Sequence, residues 1–190
     1  MYALGYNKLF WGMIFIIFDI NLGTINILPN FIGYMLIYSA LNILEKQHEI
    51  YKKGKIPAMI LTILTLNDII HTDKNNLLSG EYQSPNFLGM LIGTIVMIIS
   101  IYLIYIICKG IYYISIERGF DELKESTETR WRFYLGIEIL MLFYMPFSLN
   151  ISQDFNFVIV VFCIIKLIIM ISIAMLFRRS KSELGESSDA

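Results

Sequence analysis

Long apolar runs separated by short polar stretches dominate the chain. Phe87–Cys108 carries no charge at all, and Phe155–Phe177 carries only one, Lys166. Phe133–Leu149 is somewhat shorter and holds one acid, Glu138. A helix needs about 20 residues to cross a hydrocarbon core of ~30 Å. The first two runs therefore reach spanning length outright, and the third nearly does. Ile56–Ile70 is shorter and ends in Asn67-Asp68, so it reaches that length only by taking in Tyr51–Lys55 or His71.

The N-terminal pattern is less regular. Leu9–Phe18 and Phe31–Leu44 are both apolar but individually short, and the linker Asp19–Asn30 alternates polar with apolar positions before closing on Pro29-Asn30. Proline lacks an N–H and clashes one turn back, so Pro29 can only begin a helix. Two short helices joined by a non-helical or broken segment are expected. Lys8 followed by Leu9–Phe18 imitates a signal peptide, but Asp19-Ile20-Asn21 stands where a small-x-small cleavage site would be. A retained first helix is expected instead. The whole pattern predicts an all-α, polytopic membrane protein with six transmembrane helices, at about 9–20, 31–45, 54–71, 87–108, 133–149 and 155–177. The first two spans form a short, broken helical hairpin. Residues 109–132 read as a cytoplasmic helical extension and loop, and 182–190 as a disordered tail.

Composition strengthens the membrane reading. Hydrophobic residues make up 56% of the chain and charged residues 16%, against roughly 45–50% and 25% in a soluble domain. Mean hydropathy is +0.63. A soluble chain of this length needs a more polar exterior, so the lipid bilayer is the expected partner. Net charge, −1, says little. Its distribution says more. With the N-terminus placed in the cytoplasm, thirteen of the fifteen Lys and Arg residues fall on cytoplasmic segments, leaving Lys74 outside and Lys166 within a span. The positive-inside bias therefore puts both termini in the cytoplasm.

Candidate chemistry lies in polar residues at membrane depth, where each charge costs at least ~2.5–3.5 kcal/mol. Lys166 sits midway along its run. Asp19 and Asp68, with Asn21, Asn26, Asn30 and Asn67, fall at similar depth in the outer leaflet half, which makes a binding cluster with Lys166 as its only cation. The competing reading is a structural ion pair that holds helices in register. Glu138 is a second buried charge, and a position near the cytoplasmic start of its span favours Arg132 or Lys109 as its partner. His48 and His71 lie in different loops, and Cys108 and Cys163 lie in apolar runs as packing residues. No metal and no cofactor are expected. No phosphate loop, HExxH, GxSxG or paired catalytic residues occur, which disfavours catalysis. Nothing points to nucleic acid.

The stretch Phe18-Asp19-Ile20-Asn21-Leu22-Gly23, continued by Ile27-Leu28-Pro29-Asn30-Phe31-Ile32-Gly33-Tyr34, resembles a pattern in small uncharacterised membrane proteins of low-GC Gram-positive bacteria. Those carry Asp-x-Asn-x-Gly followed by Ile-Leu-Pro-Asp/Asn-x-Ile/Val-Gly-Tyr. The resemblance implies a bacterial cytoplasmic membrane and no particular activity. A looser similarity, at the level of size and six helices, is to the substrate-binding components of energy-coupling-factor vitamin transporters. The small-residue docking face of those components is not evident here. Three functions stay open: a non-catalytic membrane subunit or small transporter component; a scaffold, regulatory or immunity protein acting through helix contacts with a membrane or cytoplasmic protein partner; and a lipid-modifying enzyme.

Overall fold

The linker around Pro29 decides where the first two helices stop and start. The computed structural model describes residues 2–18, 21–22, 25–26, 29–66, 87–148 and 156–186. Helix α1 is Tyr2–Ile17 and α2 is Asn30–Leu44; between them β1 (Asn21–Leu22) and β2 (Ile25–Asn26) form a short antiparallel ladder, with Asn21 opposite Asn26. Pro29 caps α2 in extended backbone (φ −68°, ψ 139°), and its carbonyl accepts the Ile32 N–H at 3.1 Å. A residue without an N–H and with φ near −65° suits that place and none further in. At about 1.5 Å per residue the two helices, 16 and 15 residues long, rise only ~24 and ~22 Å.

Two glycines bring α1 and α2 together. A Cβ on Gly12 would lie 2.7 Å from the Gly33 carbonyl oxygen, and one on Gly33 would lie 2.7 Å from that of Gly12. Only hydrogen fits in both places, so the backbones themselves are in contact.

A 3-10 helix, Glu49–Gly54, leads into α3 (Lys55–Leu64). Helix α3 is shorter than the span expected over 54–71, whose remainder from Asn67 lies outside the described residues. Helices α4 (Phe87–Glu117), α5 (Asp121–Ser148) and α6 (Asn156–Leu184) are each about twice as long as α1. Gly119, at φ 72°, ends α4. Phe120 N–H donates to the Ser115 carbonyl at 2.8 Å and Gly119 N–H to that of Ile116 at 3.2 Å, the bond pair of a Schellman ending. Asp121 and Glu122 then open α5, where acids complement the helix dipole. The stretch 109–132 is therefore helical on both sides of a turn confined to residues 118–120.

Each helix packs on the next in sequence and α6 returns to α1, closing a ring of six; α4 also touches α6. The described part of the chain is all-α apart from the small ladder. Its tightest packing lies at the end of the ring where α1 begins and α6 finishes. Tyr6, Leu41, Leu44, Tyr51, Ile111 and Leu184 are fully shielded there. Tyr51 enters from the 3-10 helix and lies flat against Gly110, where a Cβ would overlap its ring. The Tyr6 hydroxyl donates to Gln47 Oε1 at 2.9 Å and lies 3.4 Å from the Tyr51 hydroxyl. Gln47 Nε2 in turn donates to the Leu184 carbonyl at 2.9 Å. Burial pushes the Tyr51 hydroxyl well above the ordinary tyrosine range, and it raises Tyr6 in the same direction.

These contacts correct the expected tail. Residues 182–184 continue α6, and Gly185 and Glu186 are held by Ala3 N–H (3.0 Å to the Gly185 carbonyl) and Arg118 Nη1 (2.9 Å to the Glu186 carbonyl). Residues 187–190 lie outside the described residues.

Among the described residues two helices are long and apolar enough to cross a membrane, Leu88–Glu117 and Val160–Leu184, and only 28% and 22% of their most apolar stretch is buried. Helices α1 to α3 are too short to meet the same test, and α5 carries charge through its first half. Helix length alone does not carry the expectation of six spans.

Candidate functional site

A cavity of about 240 Å³ lies inside the ring, bounded by α1, α2, α4, α5 and α6. Its polar groups come from four helices. Helix α5 supplies Tyr134 and Glu138, one turn apart and so on one face. Lys166 of α6 faces them, with Met170 one turn further on. Helix α4 presents the stripe Gly93, Val96, Met97, Ser100, Leu103 and Ile104, α2 adds Tyr34, and α1 adds Met13 and Ile16 as apolar wall.

Lys166 and Glu138 form the centre of the site. Lys166 Nζ lies 2.9 Å from Glu138 Oε1 and 3.2 Å from Oε2. The Glu138 side chain is 1% exposed and that of Lys166 26%. Tyr134, one turn before Glu138, lines the cavity beside the same carboxylate and is itself buried. Across the cavity the Tyr34 hydroxyl and Ser100 Oγ are 3.0 Å apart. A charge pair this enclosed persists only because its members offset each other's desolvation and find further hydrogen bonds.

The arrangement corrects the expected partner of Glu138. Arg132 bonds to Glu128 one turn earlier, and the Lys109 ammonium bonds the Tyr105 hydroxyl at 2.8 Å and sits over the Tyr105 and Tyr113 rings. Glu138 reaches Lys166 because depth in a helical pair is set by distance from the connection. Glu138 stands as far before the end of α5 at Ser148 as Lys166 stands after the start of α6 at Asn156. Neighbouring antiparallel helices bring such positions level. Counting from the edge of the apolar run at Phe133 hides this, since α5 begins at Asp121.

Of the expected outer cluster, Asp19, Asn67 and Asp68 lie outside the described residues. Asn21 and Asn26 are register partners in the ladder. Asn30 opens α2 one turn before Tyr34 and does not line the cavity. The described structure thus joins Lys166 to Glu138, and it adds Tyr34, Ser100 and Tyr134. Those hydroxyls sit singly in apolar runs and carry no charge signal. Only Tyr134, one helical turn before Glu138, had a spacing that could have marked it.

The cavity wall thus carries, among the described residues, one carboxylate, one ammonium and three hydroxyls set in apolar side chains. Among the described residues no three His, Cys, Asp or Glu side chains converge on one point. Ser100 Oγ is bonded, among the described residues, to the Tyr34 phenol alone. No protein family, no curated protein and no solved structure matches the chain.

Proposed function

We propose that this chain is an integral protein of the bacterial cytoplasmic membrane, with six spans and both termini inside, and that its central cavity holds a small polar solute as the membrane subunit of a transport system. The membrane part is supported by the unequal distribution of Lys and Arg and by the apolar faces of α4 and α6. A core helix of a soluble protein would be mostly buried, whereas these leave more than two thirds of their most apolar stretch uncovered. The observation that carries the solute reading is the shielded Lys166–Glu138 pair beside open volume. Ionisable groups at membrane depth mark substrate and ion pathways by default. A zwitterion fits best: its acid group replaces Glu138 at Lys166, its ammonium replaces Lys166 at Glu138, and the hydroxyls of Tyr34 and Ser100 orient it.

The test is thermal denaturation of the detergent-purified protein against panels of small zwitterions, carboxylic acids and amines. A zwitterion should raise the melting temperature of the wild type and have no effect on E138Q or K166Q. A shift that survives both substitutions would place the ligand elsewhere and sink the assignment.

A second reading is favoured by one specific fact: the cavity's polar groups already satisfy one another, Lys166 with Glu138 and Tyr34 with Ser100. In that reading the pair locks α5 against α6 in a scaffold, regulatory or immunity protein. A variant E138L/K166M that folds normally and retains its protein partners, with no solute response in the wild type, would assign the pair to register.

A further inference from the structure

A second concavity, about 830 Å³, runs between α1 and α6 at the end of the ring that holds both termini. The two helices are antiparallel there. Ala3 meets Gly185, and one turn on Lys181 Nζ donates to Asn7 Oδ1 at 3.0 Å. A further turn along, Phe10 and Trp11 stand beside Met175 and Arg178.

The groove is charged at one end and apolar at the other. Arg178 is exposed and makes no ion pair or hydrogen bond with another described residue. Among the described residues Lys181 bonds a neutral amide alone. Arg179 also lines the groove, but Glu122 and Glu183 from outside it take up its charge. Among the described residues the one acid on the wall is Glu186. On the wall itself Arg178, Arg179 and Lys181 stand against Glu186, and Arg178 and Lys181 are the two cations that pair with no described acid. Trp11 is 50% exposed and Met175 47%. From Met175 the apolar surface continues along α6 through exposed Ile171 and Ile168, at helical spacings that keep one face.

A head that is cationic, an indole at its edge and an apolar track leading away from it match an amphiphile with an anionic head. We propose that this groove binds an anionic phospholipid of the cytoplasmic leaflet, its phosphodiester held by Arg178 and Lys181 and one acyl chain lying along Met175, Ile171 and Ile168. The guanidinium of Arg178 offers two parallel donors to phosphate oxygens. Trp11 sits where the headgroup gives way to the chain, the depth that indoles prefer. Basic pockets between helices on the cytoplasmic side are the usual form of headgroup recognition. The proposal rests on the six-span reading.

The experiment measures lipid retained by the detergent-purified protein, with phosphatidylglycerol and phosphatidylcholine of identical acyl chains as probes and inorganic phosphate as competitor. Phosphatidylglycerol should be retained in preference, and R178Q/K181Q should weaken its binding on the order of thirtyfold, two basic residues at about fivefold each. K52Q/K53Q, a pair of exposed lysines away from the groove, should leave binding unchanged. Equal retention of the two lipids overturns the site. So does an equal loss in K52Q/K53Q, which would mean diffuse charge, or full displacement by inorganic phosphate, which would mean a soluble-anion site. All four substituted positions are exposed or lie on the groove rim, and lipid-free melting curves of both variants check that the fold is intact. Recovery of the wild-type chain from the soluble fraction of cells would defeat the six-span reading itself. A membrane-bound protein without lipid preference defeats the groove alone.

Discussion

Glu138 is the residue that the rest of the ring must accommodate. With a side chain 1% exposed, its charge is tolerable only while Lys166 is in place. Removing one member of a buried pair strands the other, at about 3–5 kcal/mol. K166M should therefore cost close to ~3 kcal/mol, the lower end because Lys166 keeps some exposure. E138L/K166M should recover most of the loss, since an apolar pair of similar volume leaves nothing unpaired. Melting curves of the single and double variants decide this, and a double variant as unstable as the sum of its parts would refute the coupling. Both charges were visible in the sequence as breaks in apolar runs. Their partnership was not, because an apolar run reports where lipid or core begins and not where a helix begins. The hydroxyls of Tyr34, Ser100 and Tyr134 were invisible for a different reason: a single uncharged polar atom barely disturbs hydrophobic periodicity. Tyr51 and Tyr6 add a pH dependence. Burial raises both, so the folded state keeps protons that the unfolded chain releases near pH ~10. Their contribution is complete below that pH and falls as pH rises past it, by at most about 1.4 kcal/mol per pH unit for each tyrosine. Y51F should flatten the alkaline limb of the stability profile, read by denaturation between about pH 9 and 11.

At the scale of elements, glycine does two opposite things in this chain. Gly12 and Gly33 face each other's carbonyls at the distance where no Cβ fits. G12A or G33A should force α1 from α2 and destabilise by about 1–3 kcal/mol, the usual range for overpacking. At Gly136, in the middle of α5, an added Cβ meets nothing within 4 Å. G136A should be neutral or stabilising by up to about 1 kcal/mol through helix propensity alone. The same substitution thus changes sign with the surroundings, and thermal melting of the two variants side by side tests it. The hairpin break was legible because Pro29 and the alternating linker forbid a continuous helix. The Gly12–Gly33 contact was not, since one glycine on each of two helices has no spacing to betray it. The start of α5 and the end of α6 escaped for the converse reason. Polar sequence there looks like loop, but Asp121 and Glu122 suit a helix start, and Leu184 is held in place by Gln47 from the turn that follows α2.

For the whole molecule, the proposed orientation rests on charge more than on helix length. Lys46, Lys52, Lys53, Lys55, Arg118, Lys124, Arg178, Arg179 and Lys181 all lie at or beyond the end of the ring where α1 begins. Acids share this surface and pair with part of it: Lys55 meets Glu45 at 3.1 Å and Lys124 meets Asp121 at 2.6 Å, but the positive-inside bias counts Lys and Arg and not net charge. The Asp121 carboxylate accordingly holds the Lys124 ammonium above the usual lysine range. Moving this surface across a bilayer is what the positive-inside bias opposes. The proposed orientation thus makes a strict prediction for single-cysteine variants built in C108A/C163A and probed in intact cells with a membrane-impermeant maleimide. Cysteines replacing Asn75 or Ser152 should react, while those replacing Lys53 or Lys124 should react only after permeabilisation. Because Lys53 and Lys124 are held on the same end of the ring through the contacts of the 3-10 helix with α4, the two must change sides together. Labelling of Lys53→Cys alone would break the ring topology, and labelling of both would invert the molecule and carry the proposed lipid groove to the opposite leaflet.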